Sequence, residues 1–140
     1  MEEFQETKMP RYDWEDDYPN TYEEACGFIK SSHEAIAITE GTQPFLIIDI
    51  NDSWIELCGY PREEVIGRSF RFMQGALTSS IILDQIILHV SQSLPFETTI
   101  INYKKSGIPF QNLLRIKPLR TVENSPATHF FATLRELHPV

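Results

Sequence analysis

Apolar residues along this chain recur first at helical spacing and then in alternation, and these changes of period divide the sequence into elements. Residues 1–20 show no sustained period and are predicted to form a linker. Thr21 is suited to cap a helix through about residue 32, because two glutamates stand in its first turn and an apolar stripe follows. Two β-rich runs, at 35–39 and 45–50, are joined by turn-forming residues and predict a hairpin.

The middle of the chain is predicted to hold short helices and one longer helix. Asn51 or Asp52 caps a short helix that Gly59 ends, and a further helical turn follows it. Thr78 or Ser79 caps the longer helix, which gathers isoleucine, leucine and valine side chains along one face. That face is predicted to cover a sheet.

The last third of the chain predicts three strands. Runs at 96–104 and 108–119 form a second hairpin, and the loop 105–107 between them suits a left-handed residue at Gly107. A final strand is expected at 128–136. The chain is therefore predicted to be an α+β domain with five strands.

Alternation in the second hairpin separates an inner face from an outer face. The inner face carries apolar side chains together with Asn102 and Asn112, so two amides are predicted to be buried. The outer face carries an apolar patch made of Ile101, Tyr103, Leu113 and Phe131. Such a patch needs a cover, either the helix at 21–32, which includes Phe28, or another protein.

Composition fits one globular domain, with 140 residues and 41% hydrophobic content. The net charge of −8 is concentrated in residues 1–24, which hold nine acids against two cations, and the rest of the chain is close to neutral. An acidic tail argues against direct nucleic-acid binding and is expected to be disordered. Cys26 and Cys58 are expected to be ordinary thiols of an intracellular protein, in cytoplasm or nucleus, without membrane attachment.

Catalytic and metal-binding patterns are not found. The four histidines show no metal spacing with the cysteines, so no metal site is predicted. The chain contains no Gly-rich phosphate loop, GxSxG turn or HExxH helix, and no catalytic residues are predicted. We therefore expect a protein that is not an enzyme.

Several segments in order resemble LOV photoreceptor domains, a subfamily of PAS domains. They are GRSFRFMQG at 67–75, NDSWIELCGY at 51–60, REEVIGR at 62–68, NYKKSG at 102–107 and FQNLL at 110–114. The resemblance covers about residues 35–136. It implies a PAS fold, α+β, with a five-stranded antiparallel sheet, short helices on one face and an N-terminal flanking helix. The expected organisation is an acidic disordered linker at 1–20, a flanking helix at 21–33 and the LOV-like domain at 34–138.

The resemblance also implies where a flavin, FMN or FAD, would be held. Arg71 matches the arginine that pairs with the flavin phosphate, and Gln74 matches a glutamine beside the cofactor. Asn102 and Asn112 match the asparagines whose amides bond to the ring edge. Without a cofactor, each buried amide would need another partner to avoid a cost of about 1–3 kcal/mol.

Four positions depart from the family pattern. Phe70 stands where the family has its reactive cysteine, and a benzyl group offers no nucleophile to the flavin. Ser69 replaces an asparagine, Ile87 falls where many members have a second phosphate-binding arginine, and Leu134 falls where they have the signalling glutamine. We therefore expect no cofactor, in a pocket filled by Phe70, Ile87 and Leu134. The alternative is a flavin sensor without the cysteine, which signals by photoreduction or redox state.

The expected function is that of a LOV-like sensor and interaction module in a larger regulatory protein. A kinase, a transcription-factor region or part of a ubiquitin ligase is expected outside the present sequence. Homodimerisation or binding of a protein partner is predicted through the outer sheet face and the N-terminal helix. The contact residues expected there are Phe28, Ile101, Tyr103, Leu113 and Phe131.

Overall fold

A computed structural model describes residues 11–139 and contains one five-stranded antiparallel sheet. The strand order across the sheet is β2-β1-β5-β4-β3. The strands are β1 (Ala35–Glu40), β2 (Ile47–Ile50), β3 (Phe96–Tyr103), β4 (Pro109–Leu119) and β5 (His129–Pro139). The helices are α1 (Tyr22–Ser31), α2 (Asp52–Cys58) and α3 (Ser80–Ser91). The predicted α+β class and five-stranded sheet are confirmed.

Side-chain caps begin all three α-helices. Thr21, Asn51 and Ser79 each accept a hydrogen bond from the backbone N–H three residues further on, at 3.0–3.3 Å. Gly59 ends α2 with φ at +83°, a left-handed conformation that glycine adopts without steric cost. Of the paired candidates, Asn51 and Ser79 are the residues that cap.

The second hairpin forms with the predicted loop at 105–107 and the predicted inner face. Asn102 lies opposite Phe110, and Ile100 lies opposite Asn112. Gly107 turns the chain with φ at +87°, as the three-residue loop requires. This register places both asparagines on the inner face, where Asn102 is 8% and Asn112 is 1% exposed.

The N-terminal segment is folded over the part that the structure describes, so the predicted linker through residue 20 is wrong there. A 3-10 helix spans Asp13–Asp17, and Trp14 and Tyr18 are buried against the outer sheet face. Burial of two large aromatic side chains outweighs the acidic character that suggested disorder. The predicted linker residues 1–10 lie outside the described residues.

Lys117 anchors this segment from the middle of β4. Its ammonium group donates to the carbonyl oxygens of Glu15 and Tyr18 and to Asn20 Oδ1, and its side chain is buried. Burial lowers the pKa of this ammonium group. Three oxygen acceptors replace the water that a buried cation loses.

The two sheet faces carry separate apolar clusters. The inner cluster joins the sheet to α2 and includes Ile47, Trp54, Val65 and Phe110. The outer cluster joins α1 and the 3-10 helix to β1, β4 and β5. Among residues 11–139, no helix combines the length and the apolar character needed to cross a membrane. The same residues contain no group of three or more side chains arranged as metal ligands.

Candidate functional site

A cavity of about 620 Å³ lies between α3 and the inner face of the sheet. Its volume falls in the range of small-molecule pockets. Most of its walls are apolar side chains of α3 and of strands β3, β4 and β5. These side chains are Leu83, Ile86, Ile87, Val90, Ile100, Leu114, Ile116, Phe130, Ala132 and Leu134.

The structure brings the two predicted asparagines together at one side of this cavity. Asn112 Nδ2 donates to Asn102 Oδ1 at 3.0 Å, and Asn102 Nδ2 donates to the carbonyl oxygen of Met73 at 3.2 Å. The backbone N–H of Arg135 donates to Asn112 Oδ1 at 3.2 Å. Each amide oxygen thus accepts a bond from the protein itself, as buried polar groups require.

Arg71 and Gln74 stand at the solvent opening of the cavity. Both line it and both are exposed. Arg71 is the one charged side chain among the described lining residues. Within residues 11–139 it takes part in none of the six salt bridges. Its guanidinium group is therefore free, within that part of the chain, to meet an anion at the opening.

Phe70 is half-buried, lines the cavity and packs against the inner cluster. It follows that its ring points inward. Ser69, Ile87 and Leu134 line the same cavity. The expected filling of the pocket by Phe70, Ile87 and Leu134 is nevertheless wrong, because a cavity remains between them. The reason is the position of α3, where Val90 alone is buried and Ile87 keeps 45% of its surface exposed.

Neither cysteine is placed to react in the cavity. Cys58 lies in the inner cluster, and it does not belong to the described lining. Burial raises the pKa of its thiol to about 12, so it stays protonated at neutral pH. Cys26 lies on α1, which packs against the opposite face of the sheet. Cys58 therefore fills space in the core.

The predicted outer patch is only partly open. Phe131 is 1% exposed and packs edge-on against the half-buried Phe28, with ring centroids 5.7 Å apart, so Phe131 is not free for a partner. Tyr103 accepts a hydrogen bond at its hydroxyl from the N–H of Leu77, at 2.9 Å. The α1 helix and the 3-10 helix pack against β1 and β5 in the outer cluster, so they cover that side of the sheet. Ile101 and Leu113 remain half-exposed on the uncovered side.

A second depression, of about 480 Å³, is lined by residues of α2 together with residues of β1, β4 and β5. Its lining mixes opposite charges, which balance one another and leave no preferred ligand chemistry. The charged residues there are Glu34, Glu56, Lys104, Arg115, Arg135 and Glu136. The inner cavity is therefore the stronger candidate site.

Some residues that shape these surfaces were not predicted from the sequence. Lys117 is not singled out by any motif, and Trp14 and Tyr18 lie within the stretch predicted to be a linker. The density of aromatic side chains at Tyr12, Trp14 and Tyr18 is the pattern that indicates a packed segment. No local pattern shows that Lys117 would be its anchor, because the contact spans about a hundred positions.

Comparison with known protein families matches residues 33–138 to the model of the PAS domain. In sequence, 99 residues are 36% identical to a blue-light-activated histidine kinase of Rhizobium johnstonii, covering 70% of this chain and 28% of the kinase. A second match, of 74 residues, is 40% identical to phototropin-2 from Oryza sativa subsp. japonica and covers 53% of this chain and 8% of that protein. The chain thus spans less than a third of the length of these relatives.

Solved structures show the same fold. The LOV domain of a blue-light-activated histidine kinase from Erythrobacter litoralis matches with a TM-score of 0.70 at 25% identity. The match covers 74% of this chain and 95% of that domain. The sheet and its helices correspond to the architecture of that domain.

Proposed function

The chain belongs to the PAS domain family, and from this premise we propose that it is the sensor and interaction domain of a larger signalling protein, working without a thiol–flavin adduct. Its relatives are named as light-activated kinases and phototropins, and the matched region is a small part of each. A domain of this kind supplies sensing or contact, while the output activity belongs to other parts of the protein.

One observation carries this proposal. Phe70 lies in the cavity lining at the place that the resemblance assigns to the reactive cysteine, and neither Cys26 nor Cys58 lines the cavity. Covalent addition to a flavin requires a sulfur nucleophile beside the ring. With a benzyl group there, light absorption has no thiol with which to form an adduct.

A flavin fits the cavity poorly. Its ring edge presents carbonyl acceptors beside an N–H donor and so needs a matched set of amide groups. The two buried amides of the cavity bond within the protein, since Asn112 bonds to Asn102 and Asn102 bonds to Met73, so a flavin edge would compete with these bonds. Leu134 places an apolar wall where the resemblance implies a further amide. We therefore propose that flavin is not the cofactor of this chain.

The interaction role is supported by the uncovered part of the outer sheet face. Ile101 and Leu113 lie there beside Glu97, whose carboxylate pairs with Arg115 at 2.8 Å. Within residues 11–139, the acid that lies beside these two side chains is therefore neutralised, although the chain has a net charge of −8. Two copies of an acidic chain repel each other least where such a surface faces its own copy. We propose that the partner is a second copy of the chain.

Illumination tests this function. The purified chain is mixed with free FMN and exposed to blue light, while absorption and the mass from light scattering are followed. We expect no reversible loss of flavin absorption, and a mass that rises with concentration equally in light and dark. Reversible bleaching on illumination would contradict the thiol-free mechanism. A monomer mass at every concentration would contradict self-association.

A further inference from the structure

The deep part of the cavity offers a ligand mainly apolar contact. Its amides bond to each other and to the backbone of Met73 and Arg135, so each amide oxygen already accepts a hydrogen bond from the protein. The remaining deep walls are aliphatic or aromatic, among them Ile100, Leu114 and Phe130. A ligand body that enters this space gains by being apolar, because it leaves water without losing hydrogen bonds.

The side chains of α3 that line the cavity also favour an apolar ligand. This helix carries several large apolar side chains, yet only Val90 is buried. Leu83 and Ile86 are half-buried and Ile87 is exposed, and all three line the cavity. An apolar ligand between α3 and the sheet would remove these side chains from water, in proportion to the area covered.

The positive charge at the cavity opening favours an anionic group at the end of the ligand that lies there. Arg71 is exposed there, and the described lining contains no carboxylate. A lone cation at an opening without carboxylates gives that opening a positive potential, which attracts an anion. A guanidinium group matches the two oxygens of a carboxylate or phosphate with two parallel donors.

We propose that the cavity binds an amphipathic anion, an aliphatic chain that ends in a carboxylate or phosphate. The chain lies between α3 and the sheet, and the anionic end meets Arg71. This inference names the ligand class of the proposed sensor domain, and the purpose of the binding depends on that sensor role. Its binding is measured separately, because neither illumination nor self-association is part of the readout.

Calorimetric titration with dodecanoate, below the concentration at which it forms micelles, tests the proposal on the whole chain. We expect one dodecanoate per chain, and no binding of dodecyltrimethylammonium, which has the same tail and the opposite charge. Dodecyl phosphate in a parallel titration distinguishes the two anionic ends. Failure of both anions to bind would overturn the proposal, as would equal binding of the cation.

Two variants locate the bound anion. Arg71→Met is expected to weaken dodecanoate binding about tenfold, which corresponds to 1.4 kcal/mol. Arg68→Met, three residues away and outside the described lining, is the matched control and should bind as the wild type does. Ile87→Trp, at a half-open position of the lining, should abolish binding by filling the cavity. Cooperative thermal unfolding of each variant shows that it is folded.

Other results would contradict the proposed ligand or its proposed location. Wild-type affinity in Arg71→Met would remove the anion site, and wild-type affinity in folded Ile87→Trp would remove the cavity as the location. Retention of FMN that displaces dodecanoate would assign the cavity to a flavin instead. Loss of dodecanoate binding with intact self-association would overturn this inference alone and leave the proposed function standing.

Discussion

Asn112 donates a hydrogen bond to Asn102 across the β3–β4 hairpin, and this pair closes the polar side of the cavity onto the protein itself. The Nδ2–Oδ1 distance is 3.0 Å, and both side chains are buried. Asn102 in turn donates to the carbonyl oxygen of Met73, which lies between Arg71 and Gln74 in the chain. The two buried amides that the resemblance assigns to a cofactor thus bond to each other and to the backbone.

Breaking this pair should destabilise the protein measurably. Asn112→Leu leaves Asn102 Oδ1 and the N–H of Arg135 without their partner, and we expect a loss of about 1–3 kcal/mol in the free energy of unfolding. The double substitution of Asn102 and Asn112 by leucine should cost less than the sum of the single changes, because it removes both halves of the pair. Urea titration measures both.

Gln111→Leu is the control for the asparagine pair, since Gln111 is the neighbouring residue on the opposite face of β4. Its unfolding free energy should change by roughly 0.5 kcal/mol or less. An Asn112→Leu variant as stable as this control would show that the pair contributes nothing.

Removing the anchor of the N-terminal segment should loosen that segment. Lys117→Met leaves the carbonyl oxygens of Glu15 and Tyr18 without a donor, at a cost of about 1–3 kcal/mol. We expect Trp14 to become accessible, so about half of the tryptophan fluorescence should become quenchable by acrylamide while Trp54 stays protected. Lys105→Met, at an exposed lysine, is the control. Unchanged quenching in Lys117→Met would contradict the anchoring role.

The Cys58 thiol should contribute to the pH dependence of the unfolding free energy. Burial raises its pKa to about 12 in the folded protein from 9.0, so above pH 9 the folded state keeps a proton that the unfolded chain loses. The unfolding free energy should therefore fall as pH rises, by about 1.4 kcal/mol at about pH 10. The Cys58→Ala variant should lack this part of the fall. Parallel pH profiles of the two proteins would contradict it.

Self-association should depend on the uncovered outer face. Ile101→Glu or Leu113→Glu places a charge in the proposed contact, where burial of an unpaired carboxylate is unfavourable, and the mass from light scattering should move toward that of a monomer. Val122→Glu introduces the same change at an exposed apolar residue far from this face, and its mass should equal that of the wild type. If both face variants keep the wild-type mass, this surface is not the self-contact.

Much of the fold could be predicted because its determinants are local. The caps Thr21, Asn51 and Ser79 and the turn at Gly107 depend on residues within a few positions, and the observed register of β3 and β4 followed from that turn. The inward asparagines followed from alternation alone. These are features for which spacing along the chain is sufficient information.

The errors concern contacts between distant parts of the chain. The folded segment at 13–18 depends on Lys117. The acidic composition of that segment predicts disorder and gives no sign of the contact. The open cavity depends on how far α3 stands from the sheet, a distance that the volumes of Phe70, Ile87 and Leu134 do not determine. The burial of Phe131 under α1 likewise required the three-dimensional path of the N-terminal segment.

A visible absorption spectrum tests the proposal that this PAS domain works without flavin. The purified protein is measured before and after incubation with excess FMN followed by gel filtration. We predict that the protein fraction shows no structured absorption in the blue, where oxidised flavin absorbs. A retained flavin band in stoichiometric amount would contradict the account and assign the cavity to the cofactor that the family resemblance implies.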